Sequence, residues 1–204
     1  MPPKPEPPRL WIVAGPNGSG KSTLYSATDI EGFGPSVWII NPDVLAARIQ
    51  HGERKPLLRA NGEALDRIRE WLEASLRAYQ TIGVETVLST DKYRSLVRRA
   101  KARGFEIRLL YVALQSVEMN IERVRLRVAS GGHKVAERKI RERYERSFKQ
   151  LPWFLAHADL ALLFDNSGAV PRQIGRKYGR TLEIDPSAPQ PIRLAASRLQ
   201  SRQP

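Results

Sequence analysis

The stretch Gly15-Pro16-Asn17-Gly18-Ser19-Gly20-Lys21-Ser22-Thr23 constrains this chain more than any other. It satisfies the pattern G-x-x-x-x-G-K-[ST], and it stands in the context that gives the pattern its meaning. The run Leu10-Trp11-Ile12-Val13-Ala14 before it is continuously apolar, as a buried strand is, and residues 21–28 behind it read as a helix. A strand, a glycine loop and a helix in that order turn backbone N–H groups and a helix N-terminus toward phosphate oxygens. Lys21 then reaches the outer phosphates of a nucleotide and the Ser22 hydroxyl takes Mg²⁺, so Gly15 through Thr23 are the candidate ATP-binding residues.

The rest of the chain repeats the alternation. Val37-Trp38-Ile39-Ile40 is a second buried-type strand, stopped by Asn41-Pro42, with Asp43 placed to open a short helix over 44–50. Leu65, Ile68, Leu72, Leu76 and Tyr79 recur at three- and four-residue steps and predict a long amphipathic helix over 62–82. There follow a strand at 84–88, a helix at 92–103 closed by Gly104, a strand at 105–114 and a helix at 117–128 broken at Gly131-Gly132. A helix at 136–150 comes next and, after Pro152, a fifth buried strand at 160–164. Near-continuous apolar strands alternating with helices argue for an α/β fold, a mostly parallel five-stranded sheet with helices on both faces in the three-layer P-loop NTPase manner. Residues 172–184 read as a small terminal hairpin, which closes a single domain over 1–184. Pro186, Pro189 and Pro191 ahead of a polar end predict a mobile tail over 185–204.

Composition removes whole classes of protein. With no cysteine there is no disulfide scaffold, Cys-ligated zinc module or cysteine nucleophile. No apolar run approaches the ~20 residues of a membrane helix, so the expectation is a cytoplasmic protein with no membrane partner. The 34 Lys+Arg against 21 Asp+Glu leave a net charge of +13, and residues 92–149 alone hold 17 basic and 6 acidic side chains. That excess suits an acidic partner, whether a nucleotide, a nucleotide-sugar or a nucleic acid. Binding of nucleic acid calls for aromatics interleaved with the basic side chains. Tyr93, Phe105, Tyr111, Tyr144 and Phe148 are spaced as core residues instead, which makes nucleic acid the weaker reading.

Three further groups are candidates for chemistry. Asp43 falls at the carboxyl end of the second strand, where open α/β sheets bind ligands; it can ligate Mg²⁺, accept the proton of an attacking hydroxyl, or simply cap its helix. Glu85 interrupts an apolar strand, which is costly unless the charge is paired or faces a cleft, so it binds substrate or forms a buried ion pair, with Ser89 nearby. Arg123 and Arg127 share one helical face, and Arg141 and Arg143 approach from beyond the glycine break. Such arginines can stabilise a phosphoryl group in transit, from a lid over about 123–146 hinged at the two glycines.

Together these residues resemble the zeta toxin family of P-loop kinases, in its stand-alone chromosomal branch. The resemblance covers residues 10–168 and rests on the phosphate loop, Asn41-Pro42-Asp43, Glu85-Thr86-Val87-Leu88-Ser89, Gly131-Gly132-His133 with Arg141-Glu142-Arg143-Tyr144-Glu145-Arg146, and Asp165-Asn166-Ser167-Gly168. It implies an ATP- and Mg²⁺-dependent kinase whose best-known members phosphorylate the sugar 3′-hydroxyl of UDP-N-acetylglucosamine, with a possible separate antitoxin protein as partner. It implies Asp43 as general base, Lys21 and Ser22 as nucleotide and metal contacts, Glu85 as the acid that binds substrate, and Arg123 with Arg143 as lid arginines. Two departures stand out: Lys134 and Ala136 follow the lid's Gly-Gly-His in place of an acidic residue and a proline, which bears on how the lid closes, and Ser89-Thr90-Asp91-Lys92 follows Leu88 where many relatives have Gly-Arg, which bears on the sugar site. Other acceptors for such a kinase are a nucleoside, an antibiotic hydroxyl or a polynucleotide 5′-end.

Overall fold

The first strand sets the layering. In β1 (Arg9–Ala14) every residue after Arg9 is buried, and successive side chains point to opposite faces. Leu10, Ile12 and Ala14 enter one hydrophobic core, while Trp11 and Val13 enter a second on the other side of the sheet. A strand with no polar side must be covered twice, and this one is.

The computed structural model describes residues 6–27, 30, 33, 37–132 and 135–200. After β1 come α1 (Lys21–Ala27), β2 (Ile39–Ile40), α2 (Pro42–Gly52), α3 (Leu57–Arg77), β3 (Ile82–Thr86), α4 (Arg94–Ala102) and β4 (Glu106–Ala113). The chain continues through α5 (Val117–Ala129), α6 (Glu137–His157), β5 (Leu160–Asp165), β6 (Arg172–Tyr178), β7 (Thr181–Ile184) and α7 (Gln190–Gln200). One seven-stranded sheet runs in the order β2-β3-β1-β4-β5-β6-β7. Its first five strands are parallel, and β6 and β7 extend it antiparallel. This is the α/β fold of the P-loop NTPases. The expected hairpin is present, but it prolongs the main sheet through β5 instead of standing apart.

The helix expected over 136–150 runs on past its expected end. Pro152 lies inside α6, which runs on to His157. A proline in a helix interior costs ~3 kcal/mol. Beyond the expected end at residue 150, Leu151, Phe154 and Leu155 are all buried in the core, and burial of such side chains contributes ~1.5–3 kcal/mol each. Packing therefore outweighs the local break.

The tail is also ordered. Ile192, Ala195 and Leu199 of α7 are buried in the main core, with Ala188 just ahead of the helix. Pro191 falls in the first turn, where the helix asks for no N–H donor. The expectation of a mobile segment over 185–204 is thus corrected for residues 185–200; 201–204 lie outside the described residues, as do His133, Lys134 and Thr28. Among the described residues no helix is long and apolar enough to cross a membrane.

Candidate functional site

The phosphate loop is pressed against the structure on three sides. A Cβ on Gly15 would lie 2.1 Å from the Val112 carbonyl oxygen of β4, and one on Gly18 would lie 2.6 Å from the Asn120 carbonyl oxygen of α5. On Gly20 it would meet the Asn166 carboxamide at 2.2 Å. All three glycines have positive φ. Both space and conformation therefore exclude larger residues. Carboxamides brace the loop from outside: Asn120 Nδ2 donates to the Asn17 carbonyl (2.6 Å) and Asn166 Nδ2 to the Ser19 carbonyl (2.9 Å).

Lys21 opens α1 and is buried, its ammonium donating to the Gly15 and Pro16 carbonyls at 2.9 and 3.2 Å. Burial pushes its pKa below the usual lysine range, Glu85 and then Asp43 hold it up, and Arg127 adds to the depression. Glu85 Oε1 stands 3.9 Å from Lys21 Nζ, and Oε2 accepts from the Tyr25 hydroxyl at 3.0 Å. The register explains the meeting, since Glu85 of β3 lies beside Val13 of β1 just ahead of the loop. Burial and then the Glu85 carboxylate push the Tyr25 phenol well above its ordinary range, so it remains a donor.

Asn41, not Asp43, caps α2: its Oδ1 accepts from the N–H groups of Asp43 (2.9 Å) and Val44 (3.3 Å). The Asp43 carboxylate is thereby left for other work and is bonded to no side chain among the described residues. After β3 the chain turns through Leu88, a buried residue with φ of 58°, whose N–H is received by Thr86 Oγ1 at 3.0 Å. A left-handed conformation at a bulky residue is strained and persists only where the surroundings enforce it. That turn brings Val87, Ser89 and Thr90 to the wall of a cavity.

The cavity, of about 480 Å³, lies at the carboxyl edge of the parallel strands. Asn17, Lys21, Asp43, Glu85, Ser89, Arg127 and Arg143 all line it, together with Asn41, Asn61 and Lys92. Its volume is that of a site for a small organic ligand. Two carboxylates thus face several cations in one space. Arg143 Nη1 also reaches Asn17 Oδ1 at 3.4 Å, so α6 touches the phosphate loop directly.

Some expected residues fall elsewhere. Arg123 is not among the lining residues; its guanidinium donates to the Asn166 carbonyl at 2.7 Å. Arg141 is held by Glu118 and Glu137 and also lies outside the cavity. On its described side the glycine break is a helix cap: Gly131 N–H reaches the Val128 carbonyl (3.0 Å) and Gly132 N–H the Arg127 carbonyl (2.9 Å), with φ of 86° at Gly131. A Cβ on Gly132 would lie 2.7 Å from Arg127 Cγ, so the cap also steadies that arginine. Lys92 is the residue that sequence reasoning passed over. Its ammonium lies 4.8 Å from the centre of the Tyr93 ring; burial and Arg143 lower its pKa, while Asp43 raises it.

For Mg²⁺ the donor set is suitable. Ser22 is exposed on the first turn of α1 and Asp43 offers a carboxylate, and Mg²⁺ commonly takes one or two protein oxygens with phosphates and water for the rest. Among the described residues no group of three or more His, Cys, Asp or Glu could hold a metal by itself.

The loop, its preceding strand and the cavity at the sheet's carboxyl edge define a P-loop NTPase. The sequence family described as "AAA domain" (AAA_33) matches residues 10–151, and the chain belongs to that family. An uncharacterised protein of Haemophilus influenzae is 31% identical over 147 residues, which are 67% of this chain and 97% of that one. Among solved structures, AvrRxo1-ORF1:AvrRxo1-ORF2 with sulphate ions superposes at a TM-score of 0.67 and 15% identity, over 97% of this chain and 65% of that one. The chain thus spans slightly under two thirds of the AvrRxo1 chain it matches; that complex has also been solved with ATP. The PezAT chromosomal toxin–antitoxin system of Streptococcus pneumoniae superposes at 0.61 with 14% identity, over 97% of this chain and 87% of that one. At such identities the structural likeness speaks for the fold.

Proposed function

We propose that the protein is an ATP- and Mg²⁺-dependent phosphotransferase acting on a hydroxyl of a small anionic molecule, with UDP-N-acetylglucosamine as the acceptor that the family resemblance implies. The observation that carries this reading is that Lys21 of the phosphate loop and Asp43 line one cavity. A nucleotide seated on the loop directs its terminal phosphate toward Lys21, and an acceptor in the same cavity presents its hydroxyl to Asp43. Asp43 takes the hydroxyl proton as the oxygen attacks the terminal phosphorus, and ADP leaves. Ser22 and Asp43 would hold Mg²⁺, which when bound offsets charge on the phosphates. Lys21, Arg127 and Arg143 meet the negative charge that spreads over the transferred group. Glu85, steadied by the Tyr25 hydroxyl, orients the acceptor together with Ser89.

The acceptor's anionic part finds Lys92 at the cavity wall. Nucleic acid fits less well, because Arg99, Arg125, Arg138, Arg141 and Arg146 of the basic stretch are each engaged with glutamates. A separate protein that silences the enzyme belongs to the same reading, supported by the fold shared with the PezAT toxin–antitoxin system.

The test is ADP release from Mg-ATP with and without UDP-N-acetylglucosamine. Stimulation by the sugar nucleotide, lost in Lys21→Ala and reduced about 10²–10⁴-fold in Asp43→Asn with ATP binding retained, is the expected result. If ATP binds and the sugar nucleotide changes nothing, that acceptor is wrong. If Asp43→Asn loses ATP binding together with turnover, the base assignment is wrong.

A further inference from the structure

Asn120 is the polar residue whose setting the mechanism leaves unexplained. It lies in α5 with no exposed surface, and neither of its side-chain atoms faces water. Its Nδ2 donates to the Asn17 carbonyl at 2.6 Å, across 103 residues of sequence. Its Oδ1 is buried without any partner among the described residues. A residue that merely filled this space would be apolar, since an unsatisfied buried oxygen is a standing cost. The donor half of the carboxamide is therefore what the site uses.

Its neighbours show what for. The Gly18 backbone packs on the Asn120 backbone so closely that no Cβ fits between them. One turn on, Arg123 holds the Asn166 carbonyl, and the Asn166 carboxamide holds Ser19. One turn further, Arg127 lines the catalytic cavity. Asn120, Arg123 and Arg127 are spaced three and four apart, so a single stripe of α5 runs from the phosphate loop to the cavity.

We propose that Asn120 is a positioning residue of the phosphate site. By drawing the Asn17 carbonyl outward it holds the intervening peptides with their N–H groups turned toward the phosphates, and it sets Arg127 at a constant distance from them. The inference rests on nucleotide binding by the loop and is independent of which acceptor is phosphorylated.

Two variants of the full-length protein test it, with ATP and inorganic tripolyphosphate as probes in equilibrium binding. Asn120→Leu keeps the branched shape, at a larger volume, and removes the donor; Asn120→Asp keeps shape and volume and supplies a donor only when its carboxyl is protonated. Near neutral pH both are expected to bind each probe at least about tenfold more weakly than wild type, a change that corresponds to ~1.4 kcal/mol. As pH falls, the ratio of Asn120→Asp to wild-type affinity should recover, while that of Asn120→Leu should not. Lys21, Arg123 and Arg143, the charged groups that reach the loop, are common to all three proteins and cancel in the ratio. Unchanged affinity in folded Asn120→Leu, or a ratio for Asn120→Asp that does not move with pH, overturns the proposal. Failure of wild type to bind either probe would instead overturn the nucleotide reading on which it rests.

Discussion

The two ends of the candidate site are built on opposite plans. At the nucleotide end the backbone is held by its surroundings: the three loop glycines abut β4, α5 and Asn166, and carboxamides tie two loop carbonyls from outside. At the proposed acceptor end Glu85 and Arg143 are held by Tyr25 and Asn17, but two charged side chains have little to fix them. The Asp43 carboxylate is bonded to no side chain among the described residues, and Lys92 rests over the Tyr93 ring. A site that binds one invariant group can be rigid, because the triphosphate never changes. A site that must also admit, orient and release a second molecule keeps charges available until that molecule supplies their partners.

The largest effect should come from breaking the rigid end. In Gly15→Ala the new methyl group meets the β4 backbone, which cannot yield as a side chain could. The loop must shift and with it several charge-assisted hydrogen bonds worth about 1.5–3 kcal/mol each, so ATP affinity should fall by at least about a hundredfold. Isothermal titration with Mg-ATP checks this, and retention of affinity within about tenfold would show the loop to be more compliant than its packing suggests.

At the acceptor end Lys92→Ala should leave ATP affinity unchanged and raise KM for the acceptor about ten- to a hundredfold, the worth of one hydrogen bond to a charged group. The measurement is steady-state turnover against acceptor concentration beside a separate ATP titration. If both affinities fell together, the two ends would not be separable and the contrast between them would fail.

The same contrast governs what could be read from the residues alone. The phosphate loop was legible because its function fixes backbone shape, and backbone shape demands glycine at set intervals. Asp43 and Glu85 were visible as carboxylates in the wrong company, at a strand end and inside a strand. Lys92 was not, since one lysine among 17 basic residues carries no local mark. Arg123 shares a helical face with Arg127, yet it is turned to the Asn166 carbonyl by a contact across 43 residues of sequence. The misread tail has a simpler cause. Pro186, Pro189 and Pro191 suggested disorder, although Ile192, Ala195, Ala196 and Leu199 follow at three- and four-residue steps. The periodicity was present, and a proline in a first turn begins a helix instead of breaking one.

That helix supplies the next prediction, a control that changes stability while sparing both ends. Leu199→Ala removes a buried side chain from the main core and should destabilise the fold by about 2–5 kcal/mol. Urea unfolding measures the loss, and ATP affinity of the folded fraction should stay at the wild-type value. A loss well under 1 kcal/mol would mean that α7 is only weakly docked on the core.

The smallest expected effect concerns the tie between α5 and α6, which lies outside both ends. Arg141 bonds Glu118 of α5 and Glu137 of its own helix, and its guanidinium holds both carboxyls below the ordinary glutamate value of 4.5. Groups whose folded pKa is depressed contribute stability above the unfolded value and lose it as pH falls through the folded one. Arg141→Ala should therefore lower the thermal midpoint slightly at neutral pH, and the gap from wild type should close as pH falls below about 4.5, the glutamate value itself. All three side chains are well exposed, so screening keeps the effect small and added salt should shrink it further. A gap that survives both acid and salt would mean that Arg141 acts through the packing of its methylene stem, and that α5 is held to α6 by apolar contact such as Ile121, Val124 and Ile140 make beside it.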